Sequence, residues 1–166
     1  MANPASFDIT SGVDLQEVDN AVNQARKEIA QRYDFKGSRA AIELNRTDNT
    51  LTLTADDEFK MNALWEIVQT RLVRRGVPVK NFKVPASEPA AGGSMRRIIE
   101  IQQGIPIEAA REIVKFIKDK KLKKVQAAIQ ADQIRVSSQS KDELQLAMHA
   151  LREHDFGVAL QFGNYR

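Results

Sequence analysis

The chain has no cysteine, which excludes a disulfide framework, a thiolate metal site and a cysteine nucleophile. Histidine is nearly as scarce: His149 and His154 are the only two in 166 residues. They stand five apart, whereas two ligands sharing a helix face need a spacing of about four, and no H-E-x-x-H occurs. They read as exposed residues at a helix end. The eight glycines are scattered, and none forms a Walker loop or a G-x-G-x-x-G turn, so nucleoside triphosphate hydrolysis by that route is excluded. No apolar run approaches the ~18 residues that a membrane-spanning helix needs. The opening MANPASFDIT has neither a basic region nor an apolar stretch, so it does not read as a secretory signal. The expectation is an intact cytoplasmic protein with no membrane contact. Aromatic residues make up only 6%, a scarcity that matters below. No acid/base pair, metal set or nucleophile constellation emerges, and no cofactor is implied.

What is present is ordinary globular composition: 42% hydrophobic and 28% charged, with 25 basic residues against 22 acidic ones. The net charge of +3 neither demands nor excludes an anionic partner, but its distribution is uneven. Residues 1–84 carry 12 basic and 12 acidic side chains, while residues 93–166 carry 13 and 9. Lys115, Lys118, Lys120, Lys121, Lys123 and Lys124 crowd one stretch. At a helix C-terminus such cations complement the macrodipole, and they also form a phosphate-facing edge.

Two halves with the same order of patterns flank a segment rich in proline, glycine and small residues, Pro85 to Gly93. In the first half, residues 6–10 alternate as a strand. Asp14 caps a helix with Leu15, Val18, Val22, Ala25 and Ile29 on one face. A hairpin follows, turning at Asp48-Asn49. Asp56 or Asp57 opens a second helix with Phe59, Ala63, Leu64 and Ile67 on its apolar side, and Phe82 and Val84 suggest a last strand. The second half repeats the order: a strand over 97–101, and a helix after Pro106 with Ile107, Ala110, Ile113, Val114 and Ile117 on one face. A hairpin turning at Ala131-Asp132 leads to a helix over 141–152 with Leu144, Ala147, Met148 and Leu151, and a strand over 156–162 closes the half. Asp57-Glu58-Phe59 and Asp142-Glu143-Leu144 open equivalent helices 85 residues apart, which points to duplication.

The order β-α-β-β-α-β predicts an α+β fold: two tandem ferredoxin-like domains, each a four-stranded antiparallel sheet with two helices on one face. The expected domains are 1–85 and 94–166, joined by a linker over 86–93. The first strands could also be exchanged between the halves, an alternative that periodicity leaves open.

Ferredoxin-like RNA-recognition modules stack bases on aromatics of their two central strands. Here Phe7 is the one candidate and the RNP1 pattern is absent, which disfavours base stacking of that kind and leaves arginine stacking and phosphate contact. Arg32-Tyr-Asp-Phe-Lys-Gly37, between a helix and a strand, is the most informative segment. Tyr33 or Phe35 could stack on a base, Arg32 and Lys36 could hold phosphate or a guanine edge, and Asp34 could accept from guanine N1 and N2. Equally, the segment could be a helix C-cap with Phe35 in the core. Phe162-Gly-Asn-Tyr-Arg166 repeats the mixture, with Arg166 as a further cation.

Ser6–Ile9, Arg32–Gly37, Leu53–Asp57, Lys124–Gln130 and Leu160–Arg166, in order across essentially the whole chain, resemble the bacterial YajQ family. That resemblance implies two ferredoxin-like halves, a nucleotide-binding and non-enzymatic role, and links to guanine nucleotides, cyclic di-GMP or RNA. An effector role requires the ligand to favour one arrangement of the halves and a protein partner that reads the change. The candidate nucleotide-binding residues are thus Arg32, Asp34, Phe35, Lys36 and Arg166.

Overall fold

A computed structural model describes residues 4–122 and 124–166; Lys123 of the lysine cluster lies outside the described residues. In chain order the elements are strand β1 (Ala5–Thr10), helix α1 (Leu15–Gln31), strands β2 (Ala41–Asn45) and β3 (Thr50–Ala55), helix α2 (Glu58–Arg74), and strands β4 (Phe82–Lys83), β5 (Glu88–Pro89) and β6 (Met95–Ile101). Helix α3 (Ile107–Asp119), strands β7 (Val125–Gln130) and β8 (Gln133–Ser138), helix α4 (Lys141–Glu153) and strand β9 (Gln161–Gly163) follow.

Local chemistry accounts for most boundaries. The Asp14 side chain accepts from Gln16 N at 3.0 Å and caps α1, Asp57 accepts from Lys60 N at 2.8 Å and caps α2, and Ser140 accepts from Glu143 N at 3.2 Å at the start of α4. Each satisfies a backbone donor that the first helical turn leaves free. The hairpins turn through Asn49 (φ 53°) and Ala131 (φ 57°).

The first strands are exchanged. Among the described residues, one compact unit falls within Met1–Gly12 and Gln103–Arg166, and the other is Val13–Gln102. In the first unit the sheet order is β7-β8-β1-β9, and in the second β2-β3-β6-β4, with β5 also beside β6. Each sheet is ferredoxin-like, but its first-strand place is filled from the other half of the sequence. The boundaries expected at 85 and 94 therefore give way to crossings near residues 12 and 102. The expected linker is part of the second unit: Glu88 and Pro89 pair with Arg96 and Met95, Ala90 N donates to Ser94 O at 2.8 Å, and Arg39 Nη1 donates to Gly92 O at 2.7 Å. This excursion returns the chain as a hairpin, so β6 pairs with its chain neighbours β4 and β5, the usual outcome for consecutive strands. In the first unit, Asp8 of β1 lies opposite Arg135 of β8, an opposite-charge cross-strand pair that favours this partner.

Two separate cores result. The first unit buries Phe7, Ile9, Ile113, Ile134, Val136 and Leu151 among others; the second buries Val18, Leu51, Leu53, Leu64, Leu72 and Ile99. Two residues of the helical patterns and two features of the strand patterns differ from expectation. Phe59 is 78% exposed and Ile107 48%, because each sits in the first turn of its helix, beyond the edge of the core. Val84 falls outside β4, and the closing strand contracts to β9, with Phe156 and Val158 buried in the loop before it.

Candidate functional site

The segment after α1 winds through consecutive tight turns. Arg32 N donates to Ile29 O, Phe35 N to Arg32 O, Lys36 N to Tyr33 O and Ser38 N to Phe35 O, all at 3.0–3.2 Å. Gly37 (φ 74°) supplies the left-handed step that releases the chain toward β2. This geometry drives Phe35 inward, leaving it 4% exposed, and throws Tyr33 outward to 88% exposure. Of the two aromatics considered for stacking, Tyr33 is the accessible one. Phe35 belongs to the core and offers no open face to a base.

Arg32 is held on several sides. Its Nε and Nη2 donate to the two Asp34 carboxylate oxygens at 3.0 and 2.8 Å, a bidentate fork. Nη1 lies 3.5 Å from Glu28 Oε2, and Cζ sits 5.5 Å over the Phe35 ring. Glu28 is shared with Arg71, whose Nη2 is 2.8 Å away. Lys60 adds a second cation, 5.1 Å over the same ring, and it donates to the Asp34 carbonyl. The Arg32 hydrogen bonds hold the Asp34 carboxyl below its usual range, and Asp34 in turn raises the Arg32 guanidinium above its own. The Arg32 side chain is still 39% exposed, so a guanidinium held by Asp34 and Glu28 faces solvent.

On the other side of the turn lies a cleft of about 620 Å³, between α1 and the edge strand β2; Arg26, Ile29, Phe35, Lys36, Ser38 and Glu43 contribute to its walls. Arg26 donates to the Ile42 carbonyl and so covers part of the open strand edge. Lys36 is exposed at the mouth. Ser38 Oγ donates to Asp56, whose carboxyl is held low chiefly by that bond and then by Arg39 N–H.

Arg32, Asp34, Phe35 and Lys36 are thus brought together in the second unit. Arg166 belongs to the first, where its N–H and C=O pair with Ser6 at 3.0 and 3.3 Å. Near it, Asp8 is 7% exposed and accepts from Arg135 at 3.0 and 3.4 Å and from Asn164 at 2.6 Å. Those bonds, led by Arg135, lower its pKa. Glu28 and Lys60 escaped the sequence reading. The first was accessible as the i−4 neighbour of Arg32 on α1; Lys60 arrives through tertiary packing and left no local signal. Among the described residues no cluster of three or more His, Asp or Glu side chains is placed to hold a metal ion, and no helix is long and apolar enough to cross a membrane.

Comparison with known proteins adds the family. A family model described as "Nucleotide-binding protein YajQ-like" matches residues 5–166. Relatives called nucleotide-binding protein include one from Carboxydothermus hydrogenoformans, 49% identical over 166 residues and covering 100% of both chains. Others come from Geotalea uraniireducens, 50% identical over 161 residues (97% of this chain, 98% of the relative), and from Elusimicrobium minutum, 49% identical over the same length and coverage.

Proposed function

Because the chain belongs to the YajQ-like family of nucleotide-binding proteins, we propose that it is a non-enzymatic cytoplasmic effector that binds a guanine nucleotide, cyclic di-GMP among the candidates, at the Arg32–Gly37 turn. The observation that carries this reading is the Arg32 guanidinium fixed by the Asp34 carboxylate yet partly open to solvent, with the exposed Tyr33 next to it in the chain. A planar cation whose orientation is already fixed loses little entropy when a base stacks on it. Tyr33 supplies a second planar surface, and Lys36 a mobile cation for phosphate. The Asp34 carboxylate uses two of its lone pairs on Arg32 and keeps others, which allow a second mode in which guanine N1 and N2 donate in the carboxylate plane instead of the base stacking on the guanidinium. Arg166 plays no part in this reading, and Phe35 acts from beneath by supporting Arg32.

The exposed lysines Lys118, Lys120, Lys121 and Lys124 support a second reading, an RNA contact made through phosphates. Calorimetry of the full chain against cyclic di-GMP, GTP, ATP and a short RNA separates the two. The guanine reading expects saturation at fixed stoichiometry by a guanine nucleotide, and weaker binding by Lys36→Gln. The RNA reading expects affinity that rises with oligonucleotide length and falls steeply with salt. No heat with any guanine nucleotide contradicts the first.

A further inference from the structure

The first unit carries a concavity of its own, about 410 Å³ in volume, between α3 and α4. Phe116, Lys120, Leu122, Leu146, His149 and His154 line it. Its floor is an aromatic cluster. The Phe116 and His154 rings are 4.8 Å apart at 37°, His154 and Phe156 are 4.5 Å apart, and Phe156 meets Phe116 edge-on at 5.4 Å. Phe156 is buried and anchors the other two rings. Leu146 on the rim is 58% exposed, an apolar side chain that the core does not use.

Polar groups gather at one end. The Lys120 ammonium lies 4.9 Å over the Phe116 ring, and it forms no ion pair among the described residues. Lys118, Lys121 and Lys124 are exposed around it. The one carboxylate in the lining, Glu153, pairs with His149 Nε2 at 3.2 Å. Lys121 adopts φ 57°, the left-handed conformation in which helices commonly end one residue past the cap. It turns the chain sharply between Lys120 and Leu122, both of which line the cleft.

We propose that this cleft binds a planar aromatic ring carrying an anionic group. The volume falls within the range of small-ligand sites, and a mainly apolar wall with a few polar groups is their usual make-up. A ring lying between Leu146 and the Phe116–His154 pair gains offset aromatic contact. Its anionic substituent meets the Lys120 ammonium, which provides a charge-assisted bond. A neutral ring forgoes the cation, and an aliphatic anion forgoes the stack. The anion could be a carboxylate on an aromatic ring or the phosphate of a nucleoside monophosphate; the shared chemistry is ring plus anion.

The test follows the Leu122 and Leu146 methyl signals of the full chain by NMR during titration with naphthalene-2-carboxylate and, separately, with adenosine monophosphate. At least one probe is expected to shift both residues saturably, and which one does so identifies the source of the anion. 2-Naphthalenemethanol and cyclohexanecarboxylate are each expected to bind at least fivefold more weakly than naphthalene-2-carboxylate if the carboxylate is the ligand. Lys120→Gln, at an exposed position, is expected to weaken the effective probe about tenfold with the thermal melt little changed, and Leu146→Ser to weaken it as well. Absence of saturable shifts with both probes overturns the proposal, as does unchanged affinity in Lys120→Gln. The signals come from the first unit, so the result is read independently of the Arg32 site.

Discussion

Replacing Phe7 with alanine tests where the first strand resides. Phe7 is fully buried, lies opposite Val136 and packs edge-on against Phe162 with centroids 5.8 Å apart. Truncating a buried phenylalanine costs about 3–5 kcal/mol in lost transfer energy and residual cavity. A natural domain has a margin of about 5–15 kcal/mol, so the first unit loses a large part of its stability. At about 1.4 kcal/mol per power of ten, amides that exchange through opening of this unit should exchange roughly two to three and a half powers of ten faster. Native-state hydrogen exchange resolved by residue is the assay. Ile134, Val136, Leu144 and Leu151 should lose protection although they lie more than a hundred positions away in the chain. Leu51, Leu53, Leu64 and Leu72 should keep it. Loss of protection in residues 13–85, with residues 103–166 unaffected, would refute the strand exchange and restore two contiguous domains.

Three further perturbations probe the same frame. Ile113→Asp places a carboxylate where Ile113 is fully buried; the first unit should melt early, by several kcal/mol, and an unchanged thermal melt and near-UV spectrum would contradict the packing of α3. Asp8 has a folded pKa below its unfolded value of about 3.9, through hydrogen bonds from Arg135 and then Asn164. Its contribution is therefore full above the unfolded value and is lost as pH falls through the folded one. Asp8→Asn should flatten the acid limb of the stability curve below about pH 5, and parallel acid limbs in parent and variant would count against the pairing. Gly104 has φ 80°, and an added methyl group would stand 2.5–2.9 Å from Asp132 side-chain atoms; Gly104→Ala should cost about 1–3 kcal/mol, read as a lower chemical-denaturation midpoint, and an unshifted midpoint would argue against this backbone.

The helices and hairpins were legible because their signals are local. Apolar spacing placed the buried faces of α1 and α4, and Asp14 marked a helix start; of the two candidates Asp56 and Asp57, the side-chain bond to Lys60 N selects Asp57. The exchange of β1 and β6 was visible only as an alternative. Both strands alternate apolar residues, and pairing partners are chosen by long-range register, the Asp8–Arg135 pair and the β4–β6 hairpin. The proline- and glycine-rich composition of 85–93 suggested a linker because it lacks periodicity, yet its backbone groups find partners in β6 and Arg39. At the candidate site, sequence brought Arg32, Tyr33, Asp34 and Lys36 together by adjacency. It left open whether Phe35 stacks or plugs the core, since an aromatic next to a helix end serves either purpose. Lys60 reaches the turn from another helix, a contact that no local pattern encodes.

The most direct test of the functional account compares Arg32→Ala and Arg32→Lys with the parent by nucleotide titration and thermal melting. If Arg32 presents an ordered plane to guanine, Arg32→Ala should lose about 1.5–3 kcal/mol of binding, or roughly ten- to a hundredfold in affinity. Arg32→Lys should recover little of it, because an ammonium keeps the charge but not the plane. Melting should shift only slightly, since the Arg32 ion pairs are substantially exposed. Unaltered affinity in both variants for every nucleotide that the parent binds would contradict the account and leave Arg32 as the cap of α1.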